Sequence, residues 1–201
     1  ELNKQQKRWA SAYFKNNVLP ILTPLGLDPL HPFPKVLNKS LNFIIEMRGK
    51  DSYGRKGRVA IVQAPRLLSR IIEIPNKNRF TEITFINLSS LIEAHATSIF
   101  PGMEIIGIFQ FRVTRNSDLY VDDEEVTDLR QALKGELSQR NYGDAVRIET
   151  HKEISSFCMN YLLTEFKLEK KDCYLVDGPV NVGRLITVSY THLRAHETSL
   201  H

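Results

Sequence analysis

Between residues 103 and 149 the sequence changes period twice, and this limits the folds open to the rest of the chain. From Ile106 the residues alternate. Ile106, Ile108, Gln110, Arg112 and Thr114 fall on one face and Phe109, Phe111 and Val113 on the other, which is the two-residue period of a strand. Such a strand carries arginine out of a core. After the acidic run Asp122-Asp123-Glu124-Glu125, Val126, Leu129, Leu133 and Leu137 recur at helical spacing. Carboxylates in a first turn meet the positive end of the helix dipole. Gly143 offers a left-handed stop, and residues 145–150 then read as a short strand with Arg147 on the face opposite Val146 and Ile148. Strand, helix and strand in so short a span predict a right-handed crossover onto a shared sheet.

The flanks supply the remaining elements. Residues 2–18 place Trp9 and Tyr13 one turn apart beside Ala10, Phe14 and Val18, with lysines and Arg8 around them, the pattern of an amphipathic packing helix. Residues 19–34 hold five prolines. A helix or central strand cannot run through them, so the segment reads as a linker pinned by its leucines. Leu41 to Met47 and Arg58 to Gln63 form a predicted hairpin across a polar, glycine-bearing turn. Further strands are expected over 67–74 and 79–85, separated by the turn that starts at Pro75. A second helix carries Leu88, Leu91, Ile92, His95 and Ile99 on one stripe, with Asn87 or Thr84 as cap. Another carries Ile154, Phe157, Cys158, Tyr161 and Leu162, and a last strand covers 172–176.

Length and charge bound the function. The 201 residues suit one good-sized domain or a domain with a piece of its neighbour. A charged fraction of 25% and hydrophobic fraction of 42% are those of a globular chain. The net charge of +4 favours anionic partners without choosing among nucleotide, polyphosphate, nucleic acid and lipid. Two cysteines, Cys158 and Cys173, make neither a metal cluster nor a disulfide framework and fit a reducing cytoplasm. No apolar run is long enough to span a bilayer, and the absence of an initiator methionine at Glu1 is read as a start within a gene. The segment from Val188 to His201 holds three of the six histidines and has no clean period. It reads as a non-native tail of the kind made when adaptor DNA is translated, with a natural polar tail as the alternative.

Most candidate chemistry reduces to packing or capping. His192 and His196 stand four apart beside Glu197, yet the His-Glu-x-x-His order and a third ligand are missing. His95 sits on an apolar stripe, His31 lies between prolines, and Cys158 has no basic neighbour to activate it. The consecutive carboxylates 122–125 do not converge on one point as a magnesium site requires. Neither a Gly-x-x-x-x-Gly-Lys loop nor a Gly-x-Ser-x-Gly elbow occurs. Arg112, Arg115 and Arg147 stand out, because guanidinium forks suit phosphate oxygens. Two readings stand for them: contact with an anion, or pairing with Asp118, Asp144 or Glu149.

Three separated runs resemble signature stretches of the bacterial polyphosphate kinase family. They are Leu22-Thr-Pro-Leu-Gly-Leu-Asp-Pro with His31-Pro-Phe-Pro34 and Asn38-Lys-Ser-Leu-Asn42; Phe111-Arg-Val-Thr-Arg-Asn-Ser-Asp-Leu119; and Gly143-Asp-Ala-Val-Arg-Ile-Glu149. Their order and spacing match from about residue 2 to about Leu185. The resemblance implies an enzyme that reversibly transfers the terminal phosphate of ATP to polyphosphate with Mg2+, through a phosphohistidine on domains that this chain lacks. It implies an α+β fold, a mixed sheet with packed helices. Residues 1–19 would be the last helix of the N-terminal domain, 20–185 the middle or head domain, and 186–201 the non-native tail. Expected partners are polyphosphate, ATP or ADP through the absent domains, and a second copy through the head domain, in the cytoplasm, with no nucleic acid and no transmembrane segment. No catalytic residue and no metal ligand is carried over, neither ATP nor Mg2+ is expected on this piece, and alone it is expected to be inactive. Arg112, Arg115 and Arg147 are polyphosphate-contact candidates on charge, not by transfer. The rival is a basic α+β module that binds nucleic acid, which would need exposed aromatics among those arginines.

Overall fold

Near-continuous apolar runs in two neighbouring strands let one sheet bury both faces. The computed structural model describes residues 2–27, 33–49, 58–75, 83–116 and 143–182. In chain order the elements are α1 (Lys4–Tyr13), β1 (Pro24–Leu27), β2 (Asn42–Arg48), β3 (Val59–Gln63), β4 (Ile71–Ile74), β5 (Thr84–Asn87), α2 (Leu88–Ala94), α3 (Ala96–Ile99), β6 (Glu104–Arg115), β7 (Ala145–His151), α4 (Ser156–Phe166) and β8 (Cys173–Val176). Six strands form one sheet in the order β1-β3-β2-β6-β7-β8, and β4 and β5 form a separate two-stranded ribbon. Every pair in the large sheet is antiparallel except β7 with β8. The architecture is the expected α+β mixed sheet.

Each face has its own core. Ala10, Phe14 and Val18 close one face with Phe43, Ile45, Ala60, Val62, Leu88, Leu91 and Ile92. Cys158, Leu162 and Phe166 of α4 close the other with Ile44, Ile61, Phe111, Val113 and Ile148. Phe43, Ile44 and Ile45 are successive and fully buried, as a strand covered on both sides requires. Each such side chain stabilises the fold by about 1.5–3 kcal/mol. α1 begins with a capping box between Asn3 and Gln6 and runs on through a π-helical turn, Phe14–Val18, and a 3-10 turn, Leu19–Ile21. Ser155 caps α4 by accepting from the Cys158 N–H, and the helix ends at Lys167 in the left-handed region, φ 54°.

Five expectations need correction. The crossover predicted between the strands at 106–114 and 145–150 is absent, because β6 and β7 are direct antiparallel neighbours. The parallel pair is β7 and β8, joined through α4, since parallel strands need a long connection and antiparallel ones do not. The predicted helix over 126–137 lies outside the described residues. Within the proline-rich segment, Pro24–Leu27 is a strand and not merely linker; it pairs with β3 as the outermost described strand on that side. Proline is tolerated at the first residue of an edge strand, where a missing donor disturbs little.

Two further corrections are bulges. In β6 the partner of Glu46 is Gly107 while that of Met47 is Ile105. Ile106 is therefore the extra residue, 49% exposed, and does not share the buried face of Ile108. The Phe109 ring lies over Gly107, where an added Cβ would come within 2.6 Å of it. In β7, Thr114 pairs with Arg147 and Arg115 with Ala145, so Val146 is extra and half exposed rather than facing the core with Ile148. The helix predicted through 88–99 also breaks, into α2 and α3, at His95.

Candidate functional site

Register decides which arginines meet. Arg112 stands opposite Glu149 and Thr114 opposite Arg147 across β6 and β7, and Glu149 stands beside Tyr174 of β8. Directly opposed side chains project from the same face. Arg112 Nη1 donates to Glu149 Oε2 at 3.1 Å, and Arg147 Nη2 donates to the other oxygen, Oε1. One carboxylate thus bridges two guanidinium groups. Arg147 Cζ lies 4.2 Å from the centre of the Tyr174 ring, within cation–π range. The Arg112 Nε is buried with no acceptor, while the Arg147 side chain is 44% exposed. The two pairs stabilise modestly, since partly exposed ion pairs contribute about 0–1 kcal/mol each.

Arg115 serves a different place. Its Nε donates to Val36 O at 3.0 Å and its Nη1 to Gly143 O at 2.8 Å, and its Cζ lies 5.5 Å from the Phe166 ring centre. These contacts put it on the α4 side of the sheet. Its own N–H donates to Asn38 Oδ1, the Lys39 N–H to Val113 O and the Asn116 N–H to Asp144 O. The three sequence runs singled out above therefore converge on one residue. Beside them is a pocket of about 360 Å³ lined by Lys35, Arg115, Asp144, Glu165, Phe166 and Lys167 among others. Arg112 and Arg147 are brought together and Arg115 is kept apart.

The remaining candidates are accounted for by packing. The His95 Nδ1 N–H donates to Leu91 O at 2.9 Å, its Nε2 lies 3.0 Å from Ser11 Oγ, and its ring stacks on Phe14. Burial is the main cause that pushes the Cys158 thiol up to about 11, so it is no ready nucleophile. Burial also raises Glu93, which accepts from Gln110 Nε2 at 2.7 Å. Among the described residues no three His, Cys, Asp or Glu side chains converge to hold a metal. His31, Asp118, the acidic run 122–125 and the histidines of the tail lie outside the described residues. Among the described residues no helix is long and apolar enough to cross a membrane.

Comparison with known proteins turns this geometry into a family. The family model described as the polyphosphate kinase middle domain matches residues 5–188. The chain belongs to the polyphosphate kinase family. The polyphosphate kinase of Pseudomonas aeruginosa is 50% identical over 190 residues, which is 94% of this chain and 27% of that protein. That of Neisseria meningitidis serogroup C is 49% identical over 183 residues, 91% of this chain and 27% of the relative. The chain thus spans about a quarter of the length of these relatives. The crystal structure of polyphosphate kinase from Porphyromonas gingivalis shares the fold, with a TM-score of 0.69 at 17% identity over 90% of this chain and 25% of that one.

A nucleic-acid module finds no support in this polyphosphate kinase domain. Phe111 is fully buried and Phe109 packs against the same core, so neither is displayed among the arginines; Tyr174 is half exposed against Arg147, and it is the family match that decides against such a module. Sequence reasoning named Glu149 among the acids that could pair with these arginines, but it did not foresee that Glu149 takes both Arg112 and Arg147, and it missed Tyr174 as a partner of Arg147. The i, i+2 spacing of Arg147 and Glu149 was a usable signal for the first. The stacking on Tyr174 depends on a parallel pairing that no local pattern announces.

Proposed function

We propose that the chain is the middle domain of an enzyme that reversibly transfers the terminal phosphate of ATP to a polyphosphate chain, and that it contributes scaffold and polyanion contact rather than the chemical step. The match of the middle-domain model to residues 5–188 carries this reading. In it, ATP, ADP and Mg2+ are handled by parts of the enzyme beyond this chain, in the cytoplasm, and the domain helps hold two copies together. Arg112 and Arg147 meet polyphosphate oxygens on one face. Arg115 belongs to the same candidate set but acts mainly by tying segments together, since its donors serve Val36 O and Gly143 O. Guanidinium forks suit this task because they stay charged and offer paired N–H groups to tetrahedral oxyanions.

The test is a comparison of turnover and binding. The 201-residue chain with ATP and Mg2+ should make no polyphosphate, yet should bind long polyphosphate more tightly than single-stranded RNA of equal charge, and less tightly as salt rises. Turnover by the chain alone, or preference for RNA, overturns the proposal.

A further inference from the structure

Between Arg112 and Arg147 the position that suits an oxyanion is already filled by a residue of the chain itself. Glu149 gives one oxygen to each guanidinium and is only 13% exposed, while the Arg147 side beside it is open. We propose that Glu149 is an internal counter-anion whose displacement sets how tightly this arginine pair holds polyphosphate, an inference that rests on the reading that these arginines meet the polymer.

Two features beyond the ion pairs carry it. The carboxylate leaves donors unused, since the Arg112 Nε N–H is buried without an acceptor. A phosphate group brings more oxygens than a carboxylate and places them tetrahedrally, so it can serve a donor that Glu149 does not reach. The exposed arm is also held ready. Arg147 lies over Tyr174, which is 50% exposed, and its own side chain is 44% exposed. An incoming phosphate meets Arg147 first and must then take the place of Glu149, because two anions beside one fork repel. With the carboxylate in place the cluster of three groups carries one net positive charge; with it replaced by an amide the charge is two.

The experiment uses the 201-residue chain as wild type, Glu149→Gln, and Glu149→Gln combined with Arg147→Gln, titrated with long polyphosphate, ATP and inorganic phosphate at low and high salt. Glu149→Gln is expected to bind polyphosphate roughly tenfold more tightly, the scale of one charge-assisted contact no longer contested. Its dependence on salt should be steeper, and the gain should vanish in the double variant. Orthophosphate should gain little, because one phosphate group lacks the polymer's further contacts. Matched melting curves establish that each variant is folded; if the amide variant is not, Glu149→Asp serves instead. That shorter acid cannot span both arginines and should bind with intermediate affinity. Wild-type binding that is unchanged or weaker in a folded Glu149 variant overturns the counter-anion role alone. Absence of polyphosphate binding by every form overturns the arginine contact itself, and this inference with it.

Discussion

Cys158 lies at the foot of α4, with its sulfur 3.8 Å from a Glu46 oxygen and its N–H on the Ser155 hydroxyl, which itself donates to Glu46 at 2.6 Å. Burial first, then the Glu46 charge, raise its thiol from 9.0 to about 11 against the lowering effect of Ser155. A raised thiol favours the neutral form in the folded state. Its contribution is therefore whole below pH 9, falls as pH climbs toward 11, and levels off above. The loss amounts to about 3 kcal/mol. Denaturant melts between pH 8 and pH 11.5 should show this decline in wild type and a flatter profile in Cys158→Ala. Equal slopes in the two would show that the thiol does not titrate as its surroundings dictate. The sequence revealed an unactivated cysteine on a core stripe. It could not reveal Glu46, more than a hundred positions away.

At the scale of elements, the period of each strand was legible and its interruptions were not. Alternation located β6 and β7, near-continuous apolar runs located β2 and β3, and apolar spacing located α1 and α4, because these signals are local. Ile106 and Val146 broke the pattern, since a bulge is fixed by the partner strand and leaves little mark on its own sequence. β1 was hidden by Pro24 and the prolines on either side of it, whose prohibition applies to central strands and not to an edge. Arg115 belongs at this scale too, because it joins the segment at Val36, the end of β6 and the turn at Gly143. Arg115→Lys should lower stability by about 2 kcal/mol in denaturant melts, because one ammonium cannot reproduce a fork aimed at two carbonyls. A lysine variant as stable as wild type would show that the three segments hold together without it.

For the whole molecule, the open question is where the domain begins. The sequence placed a boundary at residue 19, yet Ala10, Phe14 and Val18 lie within the core that also holds Phe43 and Val62. Deleting residues 1–19 would uncover that face, at about 1.5–3 kcal/mol for each large side chain exposed. The truncated chain should lose its cooperative thermal transition. A truncated chain that melts as sharply and at the same temperature as the full one would place the boundary at residue 19 after all. The family was legible in three runs of sequence, and those runs meet around Arg115.

Pro24 opens the outermost described strand on the β3 side, and Leu25 next to it is partly exposed. A sheet margin of that kind is a template on which stray chains can polymerise. With no amide hydrogen at its first rung, this margin offers a recruit a poor place to start zipping. The residue type that keeps the segment out of the middle of the sheet thus also makes this described margin a weaker template.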